Sequence, residues 1–137
     1  MTKSLIAVFV LFCVAVISGD GPYKDGNYTG ISRSRYIDEP YYGISHITIE
    51  KGKITDIRFF IRDSAKHELF DAAYEKHFSG NNEYIQQCRN DLKGVNSYPD
   101  SLVKYQNTEK VDVISGATWS YNIFRAATEQ ALSSAKK

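Results

Sequence analysis

Near its C-terminal end the chain reads Asp112-Val113-Ile114-Ser115-Gly116-Ala117-Thr118-Trp119-Ser120, a carboxylate and three hydroxyls around one glycine. Ser-Gly-Ala-Thr is small and polar, and its glycine lets the backbone turn tightly and be approached closely. A run without Gly or Pro follows, from Trp119 to Lys136, rich in good helix formers. In that run Phe124, Ala127, Ala131, Leu132 and Ala135 recur at the spacing of one helix face. Thr118 therefore stands at or just before a helix N-terminus, where free backbone N–H groups and the helix dipole favour a phosphate. The same residues also suit a plainer role, with Ser115 or Thr118 capping the helix. A threonine hydroxyl is a poor nucleophile alone and needs a base or a metal to attack a phosphoanhydride. Asp112, six residues away, serves recognition or positioning as readily as base chemistry.

Asp112-x-x-Ser115-Gly116-Ala117-Thr118 resembles the flavinylation motif of the FMN-binding domain family, the domain also found in the Rnf and Nqr redox complexes. Tyr23-Lys24-Asp25-Gly26-Asn27-Tyr28-Thr29-Gly30 is similar to the family's opening strand, and Gly43 through Ile54 to its central hairpin. The resemblance implies FMN carried on Thr118 through a phosphoester bond. It also implies a separate magnesium-using FAD:protein FMN transferase that installs the flavin. Asp112, Ser115, Gly116 and Ala117 would then be the recognition context. Trp119 departs from the smaller residue expected in many members and leaves the flavin's surroundings open, although it is itself a candidate cofactor contact.

Composition narrows the function classes. Lys and Arg number 17 against 16 Asp and Glu, with no basic run, so a nucleic-acid partner is not expected. Aromatic residues make up 13% of the chain, mostly tyrosine, which supplies stacking surface for a planar ligand as well as ordinary strand residues. There is no Cys-x-x-Cys, no zinc constellation, no G-x-S-x-G turn and no G-x-G-x-x-G after a strand. A metal site, a hydrolase and a nicotinamide site are accordingly not expected.

Lys3 followed by the apolar run Leu5–Ile17 and then Ser18-Gly19-Asp20 reads as a secretory signal peptide over residues 1–19. The run is shorter than the roughly 20 residues of a membrane span. An uncleaved anchor stays open, because Val16 and Ile17 do not make a small-x-small cleavage site. Export to the periplasm or cell surface is the expectation, with membrane association through the N-terminal segment as one form of it. Cys88 would then be the one cysteine left, read as a small buried hydrophobe on a helix face.

The elements that must hold the motif lie in the expected FMN-binding domain, residues 22–135. A strand is expected over 27–35, with Gly30 at a bulge or close approach. A turn follows at Asp38-Glu39-Pro40. The clearest β signal is a hairpin, with Ile47 and Ile49 on one face of its first strand and Ile57, Phe59 and Ile61 on one face of its second, around Lys51-Gly52-Lys53. Asp63-Ser64 offers an N-cap for a helix striped by Leu69, Phe70, Ala73, Tyr74, His77 and Phe78, stopped by Gly80. A second helix is expected over about 83–93 with Gly94 just after it, then a short helical turn from Pro99. The segment 109–114 is expected to pair with the sheet. His46, His67 and His77 lack metal-ligand spacing.

The expected fold class is α+β: a small twisted antiparallel sheet with packed helices and the motif at the start of the C-terminal helix. The expected function is an extracytoplasmic flavoprotein electron carrier, not itself an enzyme, with membrane or extracytoplasmic redox partners. Ring contacts would come from Trp119, Tyr121, Tyr41, Tyr42 or His46. Two alternatives remain: a domain that binds FMN reversibly as a redox or flavin sensor, and a cofactor-free secreted interaction domain.

Overall fold

The computed structural model describes residues 21–32 and 39–137; the expected leader at 1–19 and the end of the expected first strand lie outside them. Four antiparallel strands form one sheet in sequential order, β1 (Gly26–Ile31), β2 (Tyr41–Glu50), β3 (Lys53–Asp63) and β4 (Glu68–Leu69). Two helices, α1 (Asn82–Tyr105) and α2 (Thr118–Ser133), pack on the sheet, and short 3-10 helices span Ala72–Phe78 and Thr108–Lys110. The fold is therefore α+β, as the sequence pattern implies.

The hairpin forms because period-two alternation gives it one apolar face. Ile47, Ile49, Ile54, Ile57, Phe59 and Ile61 are buried, while Thr48, Arg58 and Phe60 point the other way. Lys51 and Gly52 make the turn with positive φ, and the Asp25 carboxylate accepts their backbone N–H groups at 3.0 and 2.7 Å. Against this face α2 buries Ile123, Phe124, Ala127, Thr128, Ala131 and Leu132. A side chain at Gly30 would run into the Ala127 carbonyl, so glycine there lets β1 lie directly on α2.

Several other expectations are revised. The stripe 69–78 is not one helix: Leu69 pairs with Arg62 in β4, and Phe70 donates its N–H to Ile61. The Asp71 side chain then accepts the Ala73 N–H and starts a 3-10 helix. Asp63 does not cap a helix; its carboxylate holds the turn after β3 by accepting from Ala65 and Lys66. Helix α1 does not end at Gly94 but runs through Gly94 and Pro99 to Tyr105. Burial of Val95, Tyr98, Pro99 and Leu102 offsets the ~3 kcal/mol that an interior proline costs a helix. Its C-cap Gln106, in left-handed conformation, exchanges side-chain hydrogen bonds with the backbone of Ile54 at 2.8 Å each way. Residues 109–114 form no strand; a 3-10 turn and an extended segment lead into the motif instead.

Candidate functional site

The motif is a turn seated on α1. Ala117 donates its N–H to the Ile114 carbonyl at 2.9 Å, closing a turn around Ser115 and Gly116. Gly116 has φ +81°, a left-handed conformation that glycine alone adopts without strain, and an added Cβ would also press on Asn90. Helix α2 begins at Thr118, with Ala117 as N-cap and no capping side chain. Ser115 and Thr118 are therefore not caps. Both are exposed, and among the described residues the Thr118 hydroxyl makes no hydrogen bond.

Capping comes from α1. Asp91, 3% exposed, accepts from the Ser120 N–H at 3.1 Å and from its hydroxyl at 3.0 Å. Gln87 donates to the other Asp91 oxygen at 2.8 Å and to the Gly116 carbonyl at 2.9 Å. Tyr98 donates to the Ala117 carbonyl at 2.8 Å and accepts from the Ile114 N–H at 3.1 Å. Burial holds the Tyr98 phenol above its usual range, so it stays a neutral donor. An added Cβ at Gly94 would lie 2.5 Å from the Tyr98 ring and 2.7 Å from the Ser120 hydroxyl, so glycine lets α1 approach the start of α2. Gln87, Asp91 and Tyr98 escaped the sequence reading, and Gly94 enters it only as the residue after a helix. Their spacing of four, three and four marks one face of a continuous helix.

Trp119, next to Thr118, forms one wall of a cleft of about 350 Å³, a size within the usual range for small-molecule sites. Tyr41, Phe70, Phe78 and Tyr84 line it as well, together with Gln87, Cys88 and Asp91. The Trp119 ring stands edge-on to Tyr41 and Phe70, with centroids 5.1 and 5.2 Å away. Its indole N–H donates to Glu39 at 3.3 Å. Cys88 is buried, and burial with the Glu75 and Asp91 charges pushes its thiol up to about 11. It is thus protonated at neutral pH and a poor nucleophile.

Of the expected ring contacts, Tyr41 and Trp119 line the cleft. Tyr121 packs on Tyr98, and His46 pairs with Thr29 at 2.9 Å. Tyr42 is half-buried in β2 and does not line the cleft. Asp112 is exposed on the segment before the turn. His77 pairs with Glu68 at 2.7 Å, and no group of three or more metal-ligating side chains occurs among the described residues.

The family model for the FMN-binding domain matches residues 45–133, from mid-β2 to the end of α2. The chain belongs to the FMN-binding domain family. A crystal structure of the CPE2226 protein from Clostridium perfringens has a similar fold, with TM-score 0.59 and 27% identity over 82% of this chain and 88% of that one. Comparison with curated proteins finds no match. Membership supports FMN as the ligand, and the residues fit it: an aromatic-walled cleft accepts a flat ring, and a helix start lies beside it. Among the described residues no helix is long and apolar enough to cross a membrane.

Proposed function

We propose that this FMN-binding domain is an electron carrier whose FMN is joined to Thr118 by a phosphoester bond, with the ring held in the Trp119 cleft. The observation that carries the reading is the Thr118 hydroxyl, exposed at the first position of a helix that is capped by another residue. A capping hydroxyl would be engaged with its own helix; this one is available. The Thr118 and Trp119 N–H groups at the helix start favour the phosphate. The side chains packed on the motif, Gln87, Asn90, Asp91 and Tyr98, include an acid and no base. Such surroundings make a poor reversible phosphate site, which favours a tether over simple binding. Asp112 and Ser115, both exposed, are the recognition context for an FAD:protein FMN transferase, which supplies the activation that this chain lacks.

The flavin supplies the electron chemistry, and the chain holds it in place. The leader supports work outside the cytoplasm, in the periplasm or at the cell surface, with membrane or extracytoplasmic redox partners. A covalent link there keeps a cofactor that no cytoplasmic pool could replace.

The test is co-production of the chain with an FAD:protein FMN transferase, followed by a denaturing gel under ultraviolet light. A fluorescent band is expected, with mass spectrometry placing FMN on the Thr118 peptide, and Thr118→Val should give a dark band from folded protein. Flavin that leaves on denaturation would replace the tether with reversible binding. Flavin still attached in Thr118→Val would move the site elsewhere.

A further inference from the structure

From the cleft wall inward, three side chains form a chain of hydrogen bonds whose direction is fixed. Asp63, at the end of β3, is 1% exposed. One of its oxygens accepts from Ala65 and Lys66, and the other accepts from the Tyr74 hydroxyl at 2.6 Å. Burial alone would push this carboxyl up, but the Tyr74 hydroxyl, the two backbone N–H groups and the Lys66 charge outweigh it and hold it below the usual range. An ionised carboxylate only accepts, so the Tyr74 proton points at Asp63. The Tyr41 and Tyr74 hydroxyls are 2.7 Å apart. Tyr74 has no proton left to give, so Tyr41 must be the donor in that pair. Tyr41 lines the cleft, and its proton is committed inward. What its oxygen retains for a ligand is a lone pair, made more basic by the chain behind it.

We propose that Asp63, Tyr74 and Tyr41 form a one-way relay that makes Tyr41 an obligate hydrogen-bond acceptor for the bound ligand, selecting a ring that presents an N–H. This rests on reading the cleft as the flavin-ring site. The oxidised flavin ring carries a single N–H, the imide between its two carbonyls, so that edge is the one Tyr41 takes. A ring presenting only carbonyl oxygens there meets a lone pair against a lone pair. Tyr41 is the contact residue, while Tyr74 and Asp63 are positioning residues that act through it.

The test uses the full chain produced without a transferase and two ring probes, lumiflavin and its derivative methylated at the imide nitrogen. Binding is followed by flavin fluorescence, with near-ultraviolet circular dichroism checking each fold. The wild type should prefer lumiflavin by about tenfold, equivalent to about 1.4 kcal/mol and within the reach of one buried hydrogen bond. Tyr74→Phe leaves Tyr41 the same size but frees its proton to turn toward a ring carbonyl, so the preference should shrink to about threefold or less. Preference from shape alone would survive that substitution and overturn the relay. Should Tyr74→Phe not fold, Tyr41→Phe decides. The relay requires weaker lumiflavin binding with the methylated probe unchanged, whereas steric exclusion requires lumiflavin unchanged and the methylated probe tighter. Equal binding of both probes by the wild type, with a fluorescent band after co-production, overturns the relay alone. Binding of neither probe, with no such band, overturns the flavin reading and the relay with it.

Discussion

Asp91 illustrates how one side chain can set the chemistry of a neighbour it does not touch. By taking the Ser120 N–H and hydroxyl it caps α2 from outside, and so Thr118 is left without a structural duty. It also places a negative charge by the helix start, where a free phosphate would otherwise be drawn most strongly. On the proposed function, this arrangement suits a bond made once by a transferase better than repeated capture. Asp91→Ala should leave the buried Ser120 N–H without its acceptor, while the Ser120 hydroxyl keeps the Ala117 carbonyl and Gln87 the Gly116 carbonyl, and cost about 1–3 kcal/mol, read as a lower urea midpoint. Flavin loading should fall with it, because the turn loses its seat. Asp91→Asn keeps an acceptor oxygen and should lose less. Equal losses in the two variants would show that charge, not acceptor geometry, is what the helix start needs.

At the scale of elements, α1 decides where the motif sits, and α1 is where the sequence was hardest to read. Gly94 and Pro99 carry the local signals of a stop and a restart. Both lie inside one helix, because Gly94, without a side chain, leaves room for the Tyr98 ring and for the Ser120 hydroxyl of α2 beside it. Gly94→Ala separates the two explanations of that glycine. If local propensity governed, alanine would stabilise the helix by up to about 1 kcal/mol. Because a Cβ would stand 2.5 Å from the Tyr98 ring, we expect a loss of about 1–3 kcal/mol and a shift in Tyr98 absorbance. The hairpin of β2 and β3 was legible because its alternation is local and unbroken. The face of α2 was legible for the same reason. The split of residues 69–78 into a strand and a 3-10 helix was not, since it depends on Leu69 pairing with Arg62 and on the Asp71 cap, and neither partner is implied by spacing. In the site, Trp119 and Tyr41 could be proposed from their place in the sequence. Phe70, Phe78 and Tyr84 join them only through the fold.

For the molecule as a whole, two buried groups titrate in opposite senses and should bound its stability on either side of neutrality. Asp63 is held below the usual carboxyl range, so its contribution is complete above the unfolded value of about 4 and is lost as pH falls through the lower folded value. Protonating it also removes the acceptor that orders Tyr74 and Tyr41. Cys88 is pushed up to about 11 by burial and neighbouring carboxylates. Its unfolded value is about 8.5, so the fold favours the neutral thiol, and that preference is complete below about pH 8.5. It is lost as pH rises toward 11, since the unfolded chain ionises first. Urea midpoints measured across pH should therefore form a plateau that falls on the acid side below about 4 and on the alkaline side above about 8.5. Asp63→Asn should flatten the acid limb and leave the alkaline limb in place, and Cys88→Ala should leave the acid limb in place and delay the alkaline fall to about 10, where the unfolded tyrosines begin to ionise. If both limbs persist in both variants, the exposed carboxylates and the tyrosines govern the profile, and the buried chain behind the cleft does not sense pH as its geometry requires.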